Sequence, residues 1–166
     1  YKDAGYTVYN LTLPWYNVVK KSTLPSEVVI AIQENNIYGI LAAPPCTMFS
    51  IARNDTTATN QRDLRKGMEI VKGCLDIIYE CQYKKFRKGT GLKFWALENP
   101  ASGYLYRFLG KPNLIFEPCD YGDPYTKKTA LWGNFNEPIK NKVEATRGTM
   151  VKYASKFKDL KPVDEK

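Results

Sequence analysis

Residues 6–13, "YTVYNLTL", alternate apolar with polar and are rich in β-branched and aromatic types, which predicts a strand ended by Pro14. Residues 25–35, "PSEVVIAIQEN", predict a short helix with Pro25 near its first turn and Ser26 or Ser22 as cap. A second strand is predicted over 37–43, "IYGILAA", continuous enough to be buried on both faces. The polar run 53–60 predicts a loop. From about residue 61 to 85, Leu64, Met68, Val71, Leu75, Ile78 and Cys81 recur at spacings of three and four, which predicts a helix. "RKGTG" breaks that period, and "LKFWAL", 92–97, predicts a third strand running into Glu98-Asn99-Pro100. A short helix over 102–110 and strands over 113–116 and 128–135 follow, and the last thirty residues are basic and weakly patterned.

Strand, helix, strand, helix, strand is a βαβ rhythm. It predicts an α/β fold: a mostly parallel sheet with helices on both faces. Ligands of such sheets bind outside the carboxyl ends of the strands. Two unusual residues fall there, Cys46 after "GILAAPP" and Glu98 after "LKFWAL".

Length changes little in this picture, since 166 residues make one domain with a sizeable core. No apolar run approaches the roughly 20 residues that span a bilayer. The first residues, Tyr1 to Gly5, carry no apolar leader segment and no initiator Met, so upstream sequence is expected. Charge matters more. The 25 Lys and Arg against 17 Asp and Glu give a net charge of +8. That suits a polyanionic partner, and it equally suits a solvated basic surface. The four cysteines do not suggest a secreted disulfide framework. With no histidine and no CxxC, the common zinc sets and every histidine-based triad are excluded. No GxGxxG or GxxxxGK[ST] occurs either, so nothing points to a dinucleotide or nucleoside triphosphate.

The chemistry rests on "PPC" and "ENP" together. Prolines fix φ and remove donors, so the chain leaves the sheet rigidly and offers Cys46 at its rim. Taken singly, Cys46 reads as a small core residue and Glu98 as a rim carboxylate or helix cap. Taken together, a thiol nucleophile and a carboxylic acid at neighbouring strand ends can act on one planar ring. Pyrimidine C6 is such an electrophile when N3 is protonated or hydrogen-bonded.

With these residues in view, the sequence resembles the DNA cytosine-5 methyltransferases. "GILAAPPCTMFS" is similar to their catalytic-loop motif, "WALENP" to their Glu-Asn motif, and "DYGDPYTKKTALWG" to the later motif that precedes a Gln-x-Arg-x-Arg run. The wording looks closest to phage-type or prophage members, and it covers roughly residues 1 to 135. The resemblance implies a Rossmann-like fold that uses S-adenosylmethionine, truncated at its N-terminus. Residues 1–140 would be the catalytic domain and 141–166 a basic, loop-like extension. It implies DNA as partner, no metal, no membrane, and the cytoplasm of a bacterial host cell; oligomeric state stays open.

By the same resemblance, Cys46 would attack C6 of a flipped cytosine and Glu98 would hold N3 and the exocyclic amine. Asn99 would support the loop, and Lys127 would stand for the family's first Arg. Thr12, Leu13, Ala43, Pro44 and Pro45 would line the cofactor, and Ser50, Arg53, Arg62, Arg65 and Lys66 would meet DNA. Trp15, Tyr16, Trp95 and Trp132 would be core residues or stack on bases. The chain departs from the family where Thr12 replaces an acidic residue, where Thr129 takes the second Arg position, and where the glycine-rich cofactor motif is absent. Two alternatives stay open: a methyltransferase-like DNA-binding module without catalysis, and the same chemistry on RNA or a free nucleotide.

Overall fold

In the computed structural model, which describes residues 2–51, 62–83 and 91–146, the longest element is helix α2, Leu64–Gln82. The carboxylate of Asp63 caps it by accepting the Lys66 N–H at 2.9 Å. Gly67, Val71, Gly73, Ile77, Ile78 and Cys81 are buried along it, the spacing that predicts a helix with one apolar face. Gly67 is required by contact: a Cβ there would sit 2.8 Å from Cβ of Met48 and 3.0 Å from the Phe49 ring. The turn that carries Cys46 therefore lies directly on the first turns of α2. Helix α1, Ser26–Gln33, follows Pro25, which takes the cap position without a side-chain bond. Neither Ser26 nor Ser22 serves as the cap.

The sheet has four strands: β1 (Gly39–Ala42), β2 (Phe94–Pro100), β3 (Leu114–Phe116) and β4 (Thr129–Asn134). Their order is β1-β2-β4-β3. β1 pairs parallel with β2, while β4 runs antiparallel to both β2 and β3. The sheet is thus mixed, which corrects the expected mostly parallel one. The reason lies in the connections. β1 and β2 are joined through α2, the crossover a parallel pair needs. β3 and β4 are joined by residues 117–128, which hold only the short 3-10 turn Pro118–Asp120, so the chain returns against β3. By these pairings β1, β2 and β3 all point one way, and β4 is inserted in reverse. Three carboxyl ends and the amino end of β4 share one edge.

Phe49, Val71, Leu97, Leu105 and Ala130 are fully buried in the main core, with Ala42, Trp95 and Leu109 packed against them. Each large side chain so buried is worth about 1.5–3 kcal/mol relative to exposure. A second cluster joins Val28 and Ile32 of α1 to Ile77 and Cys81 of α2, against Ile40. Both clusters gather on the face bearing Ile40, Ala42, Trp95 and Leu97. On the opposite face Leu41 is 61% exposed. Among the described residues, helices cover one face and not the expected two, and β1 is not buried on both sides.

Residues 6–13 form no strand. Tyr6, Val8, Tyr9 and Leu13 are exposed, and no neighbouring strand supplies a ladder. β-branched composition favours a strand only where pairing and burial support it. The third strand runs further than its apolar pattern, through Pro100, and α3 (Tyr106–Leu109) is shorter than expected. Beyond β4, the Asn141 N–H donates to the Asp120 carbonyl at 2.9 Å and the Val143 N–H to the Cys119 carbonyl at 2.8 Å. The expected loop at 53–60, the candidate residue Arg53, and residues 147–166 of the expected extension lie outside the described residues.

Candidate active site

Cys46 opens the 3-10 turn Cys46–Met48, four residues past the end of β1. Its carbonyl accepts the Phe49 N–H at 2.9 Å and the Ser50 N–H at 2.8 Å. Phe49, fully buried, anchors the turn in the core and meets Phe108 edge to face, with centroids 6.3 Å apart. Cys46 itself is half-buried and carries a free thiol. Ala43 and Pro45 are exposed, while Pro44 between them is buried.

Glu98 and Asn99 lie within β2, paired with Leu131 and Ala130 of β4, rather than beyond the strand's end. Alternation along the strand sends them to opposite faces. Asn99 turns to the core side with Leu97 and is fully buried. Its Nδ2 donates to the Pro44 carbonyl at 3.0 Å, and its Oδ1 has no partner. Glu98 turns to the open side, where Nζ of Lys127 lies 3.2 Å from Oε1. Lys127 reaches it because the Ala101 N–H donates to the Lys128 carbonyl at 2.9 Å, which carries the β2–β4 pairing past Thr129. The Thr129 hydroxyl donates to the Lys127 carbonyl at 2.6 Å. The structure thus joins Glu98 with Lys127, and Asn99 with the turn before Cys46, all at the edge shared by the carboxyl ends.

The cations expected at DNA divide in two. Arg65 and Lys66 are exposed on the first turn of α2. Arg62 instead spends its guanidinium on backbone: Nη1 donates to the Met48 carbonyl at 2.8 Å and Nη2 to the Ser50 carbonyl at 2.9 Å. Three residues escaped the sequence reading here. Tyr104 donates its N–H to the Phe49 carbonyl at 2.8 Å. The guanidinium carbons of Arg62 and Arg107 lie 4.6 and 4.7 Å from its ring centroid. With Leu64 and Phe108, these side chains line a groove of about 330 Å³. The signal was the interleaving of aromatic and basic residues in "GYLYRFLG", which as a pattern reads only as a short helix. The Arg107 guanidinium carbon also lies 6.0 Å from the Tyr106 ring centroid, and that neighbour shifts the Arg107 pKa upward.

Thr12 and Leu13 stand on the irregular N-terminal segment and are exposed. The Thr12 hydroxyl donates to Oδ1 of Asn10 at 3.2 Å. The residues expected around S-adenosylmethionine are therefore divided between this segment and the Ala43–Pro45 turn. Among the aromatics, Trp132 is core, with Nε1 donating to the Gly110 carbonyl at 2.9 Å, and Trp95 packs against the same cluster. Trp15 is exposed and Tyr16 half-buried. Cys74 packs against the core, and burial pushes its thiol pKa up. Among the described residues, no group of three or more His, Cys, Asp or Glu could hold a metal ion. No helix there is long and apolar enough to cross a membrane.

No protein-family model matches the chain, and no curated protein matches it.

Proposed function

We propose that this chain forms the cysteine–cytosine adduct of a DNA cytosine-5 methyltransferase, with Cys46 as nucleophile and Glu98 holding the ring edge. The observation that carries this reading is the Asn99–Pro44 bond, which makes "PPC" and "ENP" one unit at the carboxyl edge of the sheet. The Lys127–Glu98 pair at the same edge and the net charge of +8 support it.

A cytosine leaves the base stack to reach such a site. The Cys46 thiol loses its proton to solvent, and Sγ attacks C6. The Sγ–C6 bond forms, the C5–C6 double bond opens, and a C4–C5 enamine results as protonated N3 takes up the displaced electron pair. The proton on N3 comes from water as Sγ attacks, and the Glu98 carboxylate accepts from the new N3–H and from the exocyclic amine, stabilising the protonated ring. C5 is now nucleophilic and takes a proton from water. Loss of the other C5 hydrogen to water, expulsion of Sγ as thiolate and return of the N3 proton to water restore the cytosine. Methyl transfer from S-adenosylmethionine is the reaction that the resemblance implies at this C5, and the adduct cycle does not depend on it.

Oligonucleotides carrying cytosine tritiated at C5 test the adduct directly. We expect tritium release to water from the intact chain and none from Cys46→Ser. Release no faster than the Cys46→Ser background, from duplex and single strand alike, overturns the reading. A second reading, a DNA-binding module without catalysis, is favoured by the exposure of Thr12 and Leu13. It predicts saturable oligonucleotide binding with no release. Adding S-adenosylmethionine with 5-fluorocytosine in the strand then asks whether a methyl donor is used, since transfer leaves a covalent complex that survives denaturation.

A further inference from the structure

We infer that Arg62 is a positioning residue for Cys46: its guanidinium sets the turn that aims the thiol. The inference rests on the adduct reading above and assigns a new role within that site.

Three successive carbonyls of the turn are occupied. Met48 and Ser50 accept from the two Nη atoms of Arg62 at 2.8 and 2.9 Å. Phe49 between them accepts the Tyr104 N–H at 2.8 Å. Upstream, the Pro44 carbonyl is taken by Asn99 at 3.0 Å. The Cys46 carbonyl is taken by Phe49 and Ser50 within the turn. Backbone on both sides of the thiol is thus tied to the segment leading into α2, to β2 and to the segment leading into α3.

Arg62 is the one side chain in this set that holds two carbonyls at once. A planar fork with several fixed donors can bridge acceptors two residues apart, whereas an ammonium is a single point of charge. The guanidinium carbon lies over the Tyr104 ring, 4.6 Å from its centroid, and Asp63, next in the chain, caps α2. Helix start, aromatic ring and turn are therefore one assembly. Charge-assisted bonds of this kind are stronger than neutral ones, and loss of the guanidinium removes both from the turn at once. The turn then opens locally while the core stays closed.

The signature is opposed movement of two rates. In Arg62→Met, a loosened turn exposes the half-buried thiol, so alkylation of Cys46 by iodoacetamide rises about tenfold. Tritium release from C5-labelled cytosine falls by about tenfold or more, because the thiol is no longer held at attack geometry. Arg62→Lys, which keeps one donor and the charge, falls between wild type and Arg62→Met in both rates. Cys81 and Cys119, both buried, report the fold in the same sample by staying unlabelled.

Cys46 labelling that stays within twofold of wild type in Arg62→Met overturns the inference. So does labelling of Cys81 and Cys119 in step with Cys46, which makes Arg62 a support of the whole fold. If the wild-type chain releases no tritium, the adduct reading fails, and the alkylation measurement still decides whether Arg62 positions Cys46.

Discussion

The Asn99 side-chain amide donates to the Pro44 carbonyl at 3.0 Å, joining two points 55 residues apart in the chain. Asn99 is fully buried, so this bond is shielded from water. It ties the strand bearing Glu98 to the turn that leads into Cys46.

Asn99→Ala removes that donor and leaves the Pro44 carbonyl buried and unpaired. The expected cost is about 1–3 kcal/mol, read from urea denaturation. Asn99→Asp costs more at neutral pH, because a buried carboxylate faces a carbonyl acceptor. Its folded pKa is raised, so its stability is greatest below the ordinary Asp pKa and falls as pH rises. A stability of Asn99→Asp that rises with pH over that range contradicts the assigned geometry.

Lys127→Met breaks the pair with Glu98, whose two side chains are 43% and 29% exposed. Exposed pairs contribute little, so the stability change stays within about 0.5 kcal/mol by the same measurement. Tritium release, by contrast, should fall clearly below wild type. A variant with unchanged release removes Lys127 from the site.

Gly133→Ala tests the register of β2 and β4. The backbone at Gly133 has φ +155°, and a Cβ there would collide with the Trp95 carbonyl oxygen across the pairing. Strands this closely paired cannot separate locally, so the cost is about 2 kcal/mol or more, seen as a lower urea midpoint. A midpoint equal to wild type would mean the two strands pair differently.

Lys21 and Glu80 form an ion pair at 2.7 Å. The Glu80 carboxylate raises the Lys21 pKa above the ordinary 10.5. A raised cation contributes stability that is complete below 10.5 and lost as pH climbs through the higher folded value. Lys21→Met therefore loses less stability than wild type between pH 10 and pH 12, roughly the window over which the lysine titrates. The difference is small, since the side chains are 56% and 35% exposed. An alkaline limb as steep in the variant as in wild type rules the pair out as its source.

Much of the architecture was legible in the chain. The three-and-four recurrence of Leu64, Met68, Val71, Leu75 and Ile78 marked α2 to within three residues at each end, because burial of one helical face needs that period. The apolar runs at 37–43 and 92–97 marked β1 and β2, and the stiff Pro44-Pro45 marked where the chain leaves the sheet. The candidate chemistry was legible as residue types, a thiol after β1 and a carboxylate that the structure places within the last paired residues of β2.

Contacts between distant residues decided the remainder. "YTVYNLTL" has strand composition and no strand, because composition cannot provide a neighbour to bond. β4 lies reversed between β2 and β3 because a short connection returns the chain, and no periodicity records that order. Arg62 reads in the sequence as a phosphate contact, a basic residue shortly after Cys46; in the fold its guanidinium bonds the Met48 and Ser50 carbonyls. The sequence by itself determined the period and polarity of each element, which are local properties of a chain facing water on one side. Only the tertiary structure decided the partner of each strand edge, buried amide and guanidinium, because those partners lie far away along the chain.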